Sequence, residues 1–152
     1  EGDPLEIFTD REGEIVLKKY SPIGEINLFA KQYAESLAQA VGHIVCITDR
    51  DQIIAVSGGG KNLIGKAVSR RLEEAIDNRD VIIAKQGDKK FVELSEETEE
   101  ETISQVVVPI ICEGDAIGAV AIVSKEEKTK LGEVETKAAS AAALFLGKQM
   151  EN

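Results

Sequence analysis

One eight-residue stretch comes close to a phosphate-binding loop. Gly60-Lys61-Asn62-Leu63-Ile64-Gly65-Lys66-Ala67 has the first glycine, the four-residue gap and the Gly-Lys pair, so that backbone amides would cradle phosphates and a lysine would reach them. The loop also needs a serine or threonine after that lysine to hold magnesium, and Ala67 has no hydroxyl. The context fails as well. A phosphate loop follows a parallel strand in a βαβ unit, whereas Ile53 to Ser57 reads as the closing strand of a hairpin. The expected role is a glycine-rich turn by which the chain leaves a sheet edge, because glycine takes left-handed backbone without steric cost.

Thiol chemistry is the next possibility. Cys46 and Cys112 could be a redox pair, but a reactive thiolate needs nearby positive charge, and both sit in aliphatic runs with only Glu113 as a charged neighbour. Buried packing is the favoured reading of both. His43 is the single histidine, so no histidine-based metal cluster can form and a Ser-His-Asp triad would hinge on it alone. A satisfied structural histidine is expected, with no metal and no catalytic residue. The acidic run Glu96-Glu97-Thr98-Glu99-Glu100-Glu101 is read as a solvated loop rather than a cation site.

Composition narrows the function classes further. A net charge of −10 works against phosphate backbones, since nucleic-acid affinity rests largely on Lys and Arg displacing condensed counterions. These residues should not bind DNA by themselves. With 43% apolar but only 4% aromatic residues, the core must be built from Val, Ile, Leu and Ala, which suits an α/β or α+β domain. No secretory signal and no run of about 18 apolar residues is present, and two cysteines inside apolar runs do not resemble a disulfide framework. A cytoplasmic protein with reduced thiols, away from membranes, is expected.

The elements that must position these groups can be read from periodicity. Leu5 to Phe8 and Ile15 to Tyr20, joined by Thr9-Asp10-Arg11-Glu12-Gly13, read as a β-hairpin. A lone hairpin is marginal in water, so it should need partner strands from residues upstream or from another protomer. The chain is expected to open inside a folded unit. Ser21-Pro22 then starts a helix with apolar residues at Ile26, Phe29, Ala30, Tyr33, Leu37, Ala40 and Val41, stopped by Gly42. Strands follow at His43–Thr48 and Ile53–Ser57, close enough to be antiparallel. A short amphipathic helix carries Leu72, Ala75 and Ile76, and weaker strand signals lie at Val81–Ala84 and Phe91–Leu94. The strongest strands are Ser104–Cys112 and Ala116–Ser124 around Glu113-Gly114-Asp115. A last helix from about Leu131 to Met150 has Leu131, Val134, Ala138, Ala141, Ala142 and Phe145 on one stripe. The order predicts an antiparallel sheet with the two long helices on one face and the short helix with loops on the other.

Two resemblances give this architecture a meaning. Gly2-Asp3-Pro4-Leu5-Glu6-Ile7 with Gly13 to Pro22 resembles the second half of the AbrB-type swapped-hairpin domain of bacterial transition-state regulators. In that family two chains interlock hairpins, and the basic first half, absent from this sequence, contacts DNA. No DNA-contacting residue is therefore assigned here. Residues 23–152 resemble the GAF sensor domain, most clearly at Val107-Val108-Pro109-Ile110 with Ile117 to Ile122. Residues 1–22 and 23–152 are expected to be two domains. Modules in this order resemble a family of sporulation transcription regulators, which implies DNA binding through the N-terminal unit and no enzyme activity. By the same resemblance a small-molecule ligand, with no fixed cofactor, would lie between sheet and loops, bordered by Thr48, Ser57, Gly58, Gly59, Asn62 and Phe91. A filled core without ligand is the competing expectation. Alternatives for the whole chain are a sensor module acting through protein partners and a GAF-type thiol-dependent methionine sulfoxide reductase. Finally, the small residues of Ala138-Ala139-Ser140-Ala141-Ala142-Ala143 let a helix approach closely. The first and last helices of two protomers are expected to form a four-helix bundle in a homodimer or homotetramer.

Overall fold

The computed structural model describes the backbone of residues 22–97 and 101–151, and the side chains from residue 29. The expected hairpin at Leu5 to Tyr20 and part of the acidic run lie outside the described residues. The elements are α1 (Pro22–Val41), β1 (Ile44–Asp49), β2 (Ile53–Ser57), a short 3-10 turn (Lys61–Leu63), α2 (Arg70–Asn78), β3 (Ile82–Lys85), β4 (Ser104–Cys112), β5 (Asp115–Ser124) and α3 (Glu133–Gln149). The five strands form one sheet in the order β2-β1-β5-β4-β3, antiparallel throughout.

Both faces of this sheet are covered, which is why β4 and β5 read as almost unbroken apolar runs rather than as an alternation. On one face Val45, Ile47, Val106, Val108, Ile110, Val120 and Ile122 pack against Ala30, Ala34, Leu37 and Ala38 of α1 and Ala139, Ala142, Ala143 and Leu146 of α3. Alanines at a helical spacing let both helices lie close to the strands. On the other face Cys46, Ile53, Val56, Val107, Ala119, Ala121 and Val123 pack against Leu72, Ala75 and Ile76 of α2 and against Val92 and Leu94. Burying each of the larger aliphatic side chains contributes about 1.5–3 kcal/mol before conformational entropy is subtracted.

Local chemistry fixes the ends of the elements. Gly42, at φ +75°, closes α1 by donating its N–H to Ala38 O. Ser69 caps α2, its Oγ accepting the Leu72 N–H at 3.0 Å. Glu135 reaches back to the Gly132 N–H at 2.7 Å to start α3. Asp49 makes the β1–β2 turn by accepting the Asp51 and Gln52 N–H groups on Oδ1.

The α+β architecture and the placement of the helices follow the sequence expectation, with three differences. Phe91–Leu94 is not a strand. The last helix begins at Glu133 rather than Leu131, because Gly132 is held outside it as the cap. Its inward stripe is Ala139, Ala142, Ala143, Leu146 and Gly147, whereas Val134 and Ala141 of the expected stripe face outward. So many small residues surround α3 that periodicity gave too weak a contrast to set its phase.

Candidate functional site

The near-miss phosphate loop is spent on holding itself together. The Leu63, Ile64, Gly65 and Lys66 amides donate to Gly60 O, Lys61 O, Ile53 O and Leu63 O, and the Ala67 amide to Glu97 Oε1. Val68 and Ser69 donate to Asp51 O and Leu94 O. The segment folds back along the start of β2, and the amides from Leu63 to Ser69 are spent within the protein rather than turned toward an anion. Its glycines serve the turn: Gly58, Gly59 and Gly60 all have positive φ, and a Cβ on Gly58 would stand 2.7 Å from His43 O.

The cysteines are far apart. Cys46 pairs through Ala121 with Val107, five residues along β4 from Cys112, a separation of about 17 Å along the strand direction alone. They also belong to opposite faces, Cys46 packing with the α2 side and Cys112 with the α3 side. Burial pushes the Cys112 thiol up, and Glu113, Glu151 and Asp115 push it further in the same direction. That environment disfavours the thiolate. His43 faces Glu135, with Nε2 4.0 Å from Oε2, joining the α1–β1 corner to the start of α3.

The six residues expected to border a ligand are dispersed. Ser57, Gly58 and Gly59 lie together at the end of β2 beside His43 and Ile44. Thr48 pairs with Ile53 at the opposite end of the same hairpin. A bulge at Ile54 places Ile53 and Val56 on the α2 face and Ala55 on the helix face, so Thr48 and Ser57 also point to opposite sides of the sheet. Asn62 is exposed on the 3-10 turn. Phe91 is half-buried on the α2 face, toward the β3–β4 edge of the sheet.

Phe91 does border a cleft. Two concavities lie where α2 faces the chain between β3 and β4, of about 320 and 400 Å³. Arg71 borders both and donates to Lys89 O at 2.7 Å. The first is lined by Glu74, Ala75, Asn78, Asp80, Lys90 and Val92 among others, the second by Ser69, Gln86, Asp88, Phe91, Glu93 and Glu96 among others. The segment between the clefts is fastened by Gln105, fully buried in β4, whose Oε1 accepts the Val92 N–H at 2.9 Å and whose Nε2 donates to Val92 O at 2.7 Å. Gln105, Ser69 and Arg71 were not among the expected site residues. The available signal was a glutamine at the start of the most apolar strand in the chain.

At its other end α2 is tied to two turns. Arg50 pairs with Asp77 and donates to Ala116 O at 3.2 Å, and Arg79, at φ +60°, donates to Gly114 O. On the helix face, Phe145 of α3 meets Phe29 edge-on at 6.2 Å and Tyr33 at 5.0 Å between ring centroids. Outside that contact Val134 is 71% and Leu144 65% exposed, with Ala141 between them.

A five-stranded antiparallel sheet with terminal helices on one face and a short helix and loops on the other defines a GAF-like fold. The GAF domain of an Acinetobacter phosphoenolpyruvate-protein phosphotransferase superposes with a TM-score of 0.68 over 88% of this chain and 84% of that one, at 12% identity. A type II free methionine-R-sulfoxide reductase from Thermoplasma acidophilum superposes with a TM-score of 0.58 over 82% and 94%, at 16% identity. Likeness at that level shows the fold. Residues 25–151 match the family described as stage V sporulation protein T C-terminal, transcription factor. Stage V sporulation protein T of Bacillus subtilis (strain 168) is 50% identical over 152 residues, covering 99% of this chain and 83% of that protein. The chain belongs to this sporulation transcription factor family.

Proposed function

We propose that this chain regulates transcription of sporulation genes in the cytoplasm, binding DNA through an N-terminal AbrB-type swapped-hairpin unit. Residues 1–22 supply the second half of that unit, and residues 23–152 assemble the subunits and sense a small molecule. The observation that carries the reading is the 50% identity to a sporulation regulator across 99% of the chain, which takes in the first 22 residues as well as the GAF-like domain. The net charge of −10 argues against DNA contacts made by the acidic surface of residues 1–152 as a whole. Among the described residues no helix is long and apolar enough to cross a membrane. Assembly as a homodimer or homotetramer is supported by the apolar surface of α3 around Val134, Ala141 and Leu144, beside α1, which suits a four-helix bundle with a second copy.

The two separated thiols and the raised Cys112 argue against the reductase chemistry of the Thermoplasma neighbour, so the reading is non-enzymatic. For sensing, the supporting observation is the pair of clefts beside α2, and a ligand would act by binding one subunit arrangement better than another.

The test is a DNA mobility shift with the full-length protein across a range of salt. Binding that weakens steeply with salt, with residues 23–152 alone failing to bind, is expected. Absence of binding at low salt by the full-length protein sinks the reading.

A further inference from the structure

Residues 91–95 have the alternation of a strand without the ladder of one. Val92 and Leu94 are buried, Phe91 is half-buried and Glu93 is exposed. A ladder strand is held by a main-chain partner at every second residue, whereas this segment is fastened by two residues. Gln105 makes both bonds to the Val92 backbone, and Ser69 donates from Oγ to Glu93 O at 2.5 Å and from N–H to Leu94 O at 3.0 Å. The segment is also the wall between the two clefts, Val92 lining one and Phe91 with Glu93 lining the other.

We infer that residues 91–95 are a strap that opens as a unit while α2 and the sheet stay folded, joining the two clefts into one chamber floored by Gln105. Two buried aliphatic side chains, the half-buried Phe91 ring and four hydrogen bonds to Gln105 and Ser69 hold the strap, the Phe91 N–H bonding only locally to Asp88 O, and its backbone regains conformational entropy on release. The strands beneath it share the whole core and open only with the domain. Released, Gln105 presents one donor beside one acceptor on an apolar floor that includes Val107 and Val123. Such a floor penalises a bare charge and fits a small apolar molecule with an amide-like donor and acceptor, the groups Val92 offers now. The identity of what enters rests on the sensing half of the proposed function; the opening itself does not.

Amide exchange followed by NMR on the full-length protein tests the strap. In the unmodified protein the Val92 amide should exchange at least about tenfold faster than those of Val106 to Val108. Gln105→Leu should speed Val92 by a further factor of about 10–100 and leave β4 unchanged. Should that variant fail to fold, the comparison within the unmodified protein stands alone. Val92 and β4 exchanging at one common rate, or an equal acceleration of both by Gln105→Leu, overturns the inference. A strap that opens in a protein that binds no small molecule would count against the sensing reading only.

Discussion

Gly147 of α3 lies so close to Ile111 of β4 that a Cβ on it would stand 2.1 Å from the Ile111 carbonyl oxygen. The last helix can rest on the sheet at this depth only because position 147 has no side chain. The same device recurs inside the sheet, where a Cβ on Gly118 would stand 1.9 Å from Thr48 O. Both contacts are to backbone, which cannot swing aside as a flexible side chain would.

Gly147→Ala should therefore destabilise the domain. Alanine gains about 1 kcal/mol of helix propensity, but lifting α3 from β4 costs typically 1–3 kcal/mol and disturbs every contact of that face. Urea denaturation should give a net loss of up to about 2 kcal/mol. A midpoint that rises, as propensity alone predicts, would show that the helix does not sit at this depth.

Thr48→Val should move stability the other way. Among the described residues the buried Thr48 hydroxyl has no hydrogen-bond partner. Burying such a group costs about 1–3 kcal/mol, and valine keeps the shape and the branching that β1 favours. A gain of about 1 kcal/mol is expected, whereas Thr48→Ser should lose stability through the missing methyl. A destabilised valine variant would reveal a partner for the hydroxyl.

Much of this fold could be read from the residues. Gly42 as a stop, Leu72, Ala75 and Ile76 as the buried stripe of α2, and the Glu113-Gly114-Asp115 turn all stand where local chemistry placed them. Features that depend on partners distant in sequence were not legible. The bulge at Ile54 flips Ser57 away from Thr48, and counting by twos along β2 cannot foresee an extra residue. Phe91–Leu94 alternates like a strand, yet a side chain 13 residues away in sequence takes the place of a strand partner. Nothing in the glutamine codon of an apolar strand announces such a latch.

Stability at high pH should depend on Cys112. Its thiol is held above the usual thiol range, first by burial and then by Glu113, Glu151 and Asp115, so the folded protein keeps the proton more tightly than the unfolded chain. Stability is thus unaffected by this group below the ordinary thiol range. It declines as pH rises through that range, because the unfolded chain ionises first. Comparing denaturation midpoints of the unmodified protein and Cys112→Ser between neutral pH and about pH 10 should show the variant losing less. Equal losses would place the thiol in open solvent. Alkylation of Cys112 near neutral pH should likewise be slower than that of an exposed peptide thiol.

The proposed assembly puts the outer face of α3, with Val134 and Leu144 exposed, between one subunit and another. Multi-angle light scattering of the full-length protein, with and without the paired change Val134→Glu and Leu144→Glu, tests it directly. The unmodified protein should weigh at least two protomers, and the variant, folded by circular dichroism, should fall to a lower multiple. An unmodified protein that runs as a single protomer, or a folded variant with unchanged mass, would contradict the account.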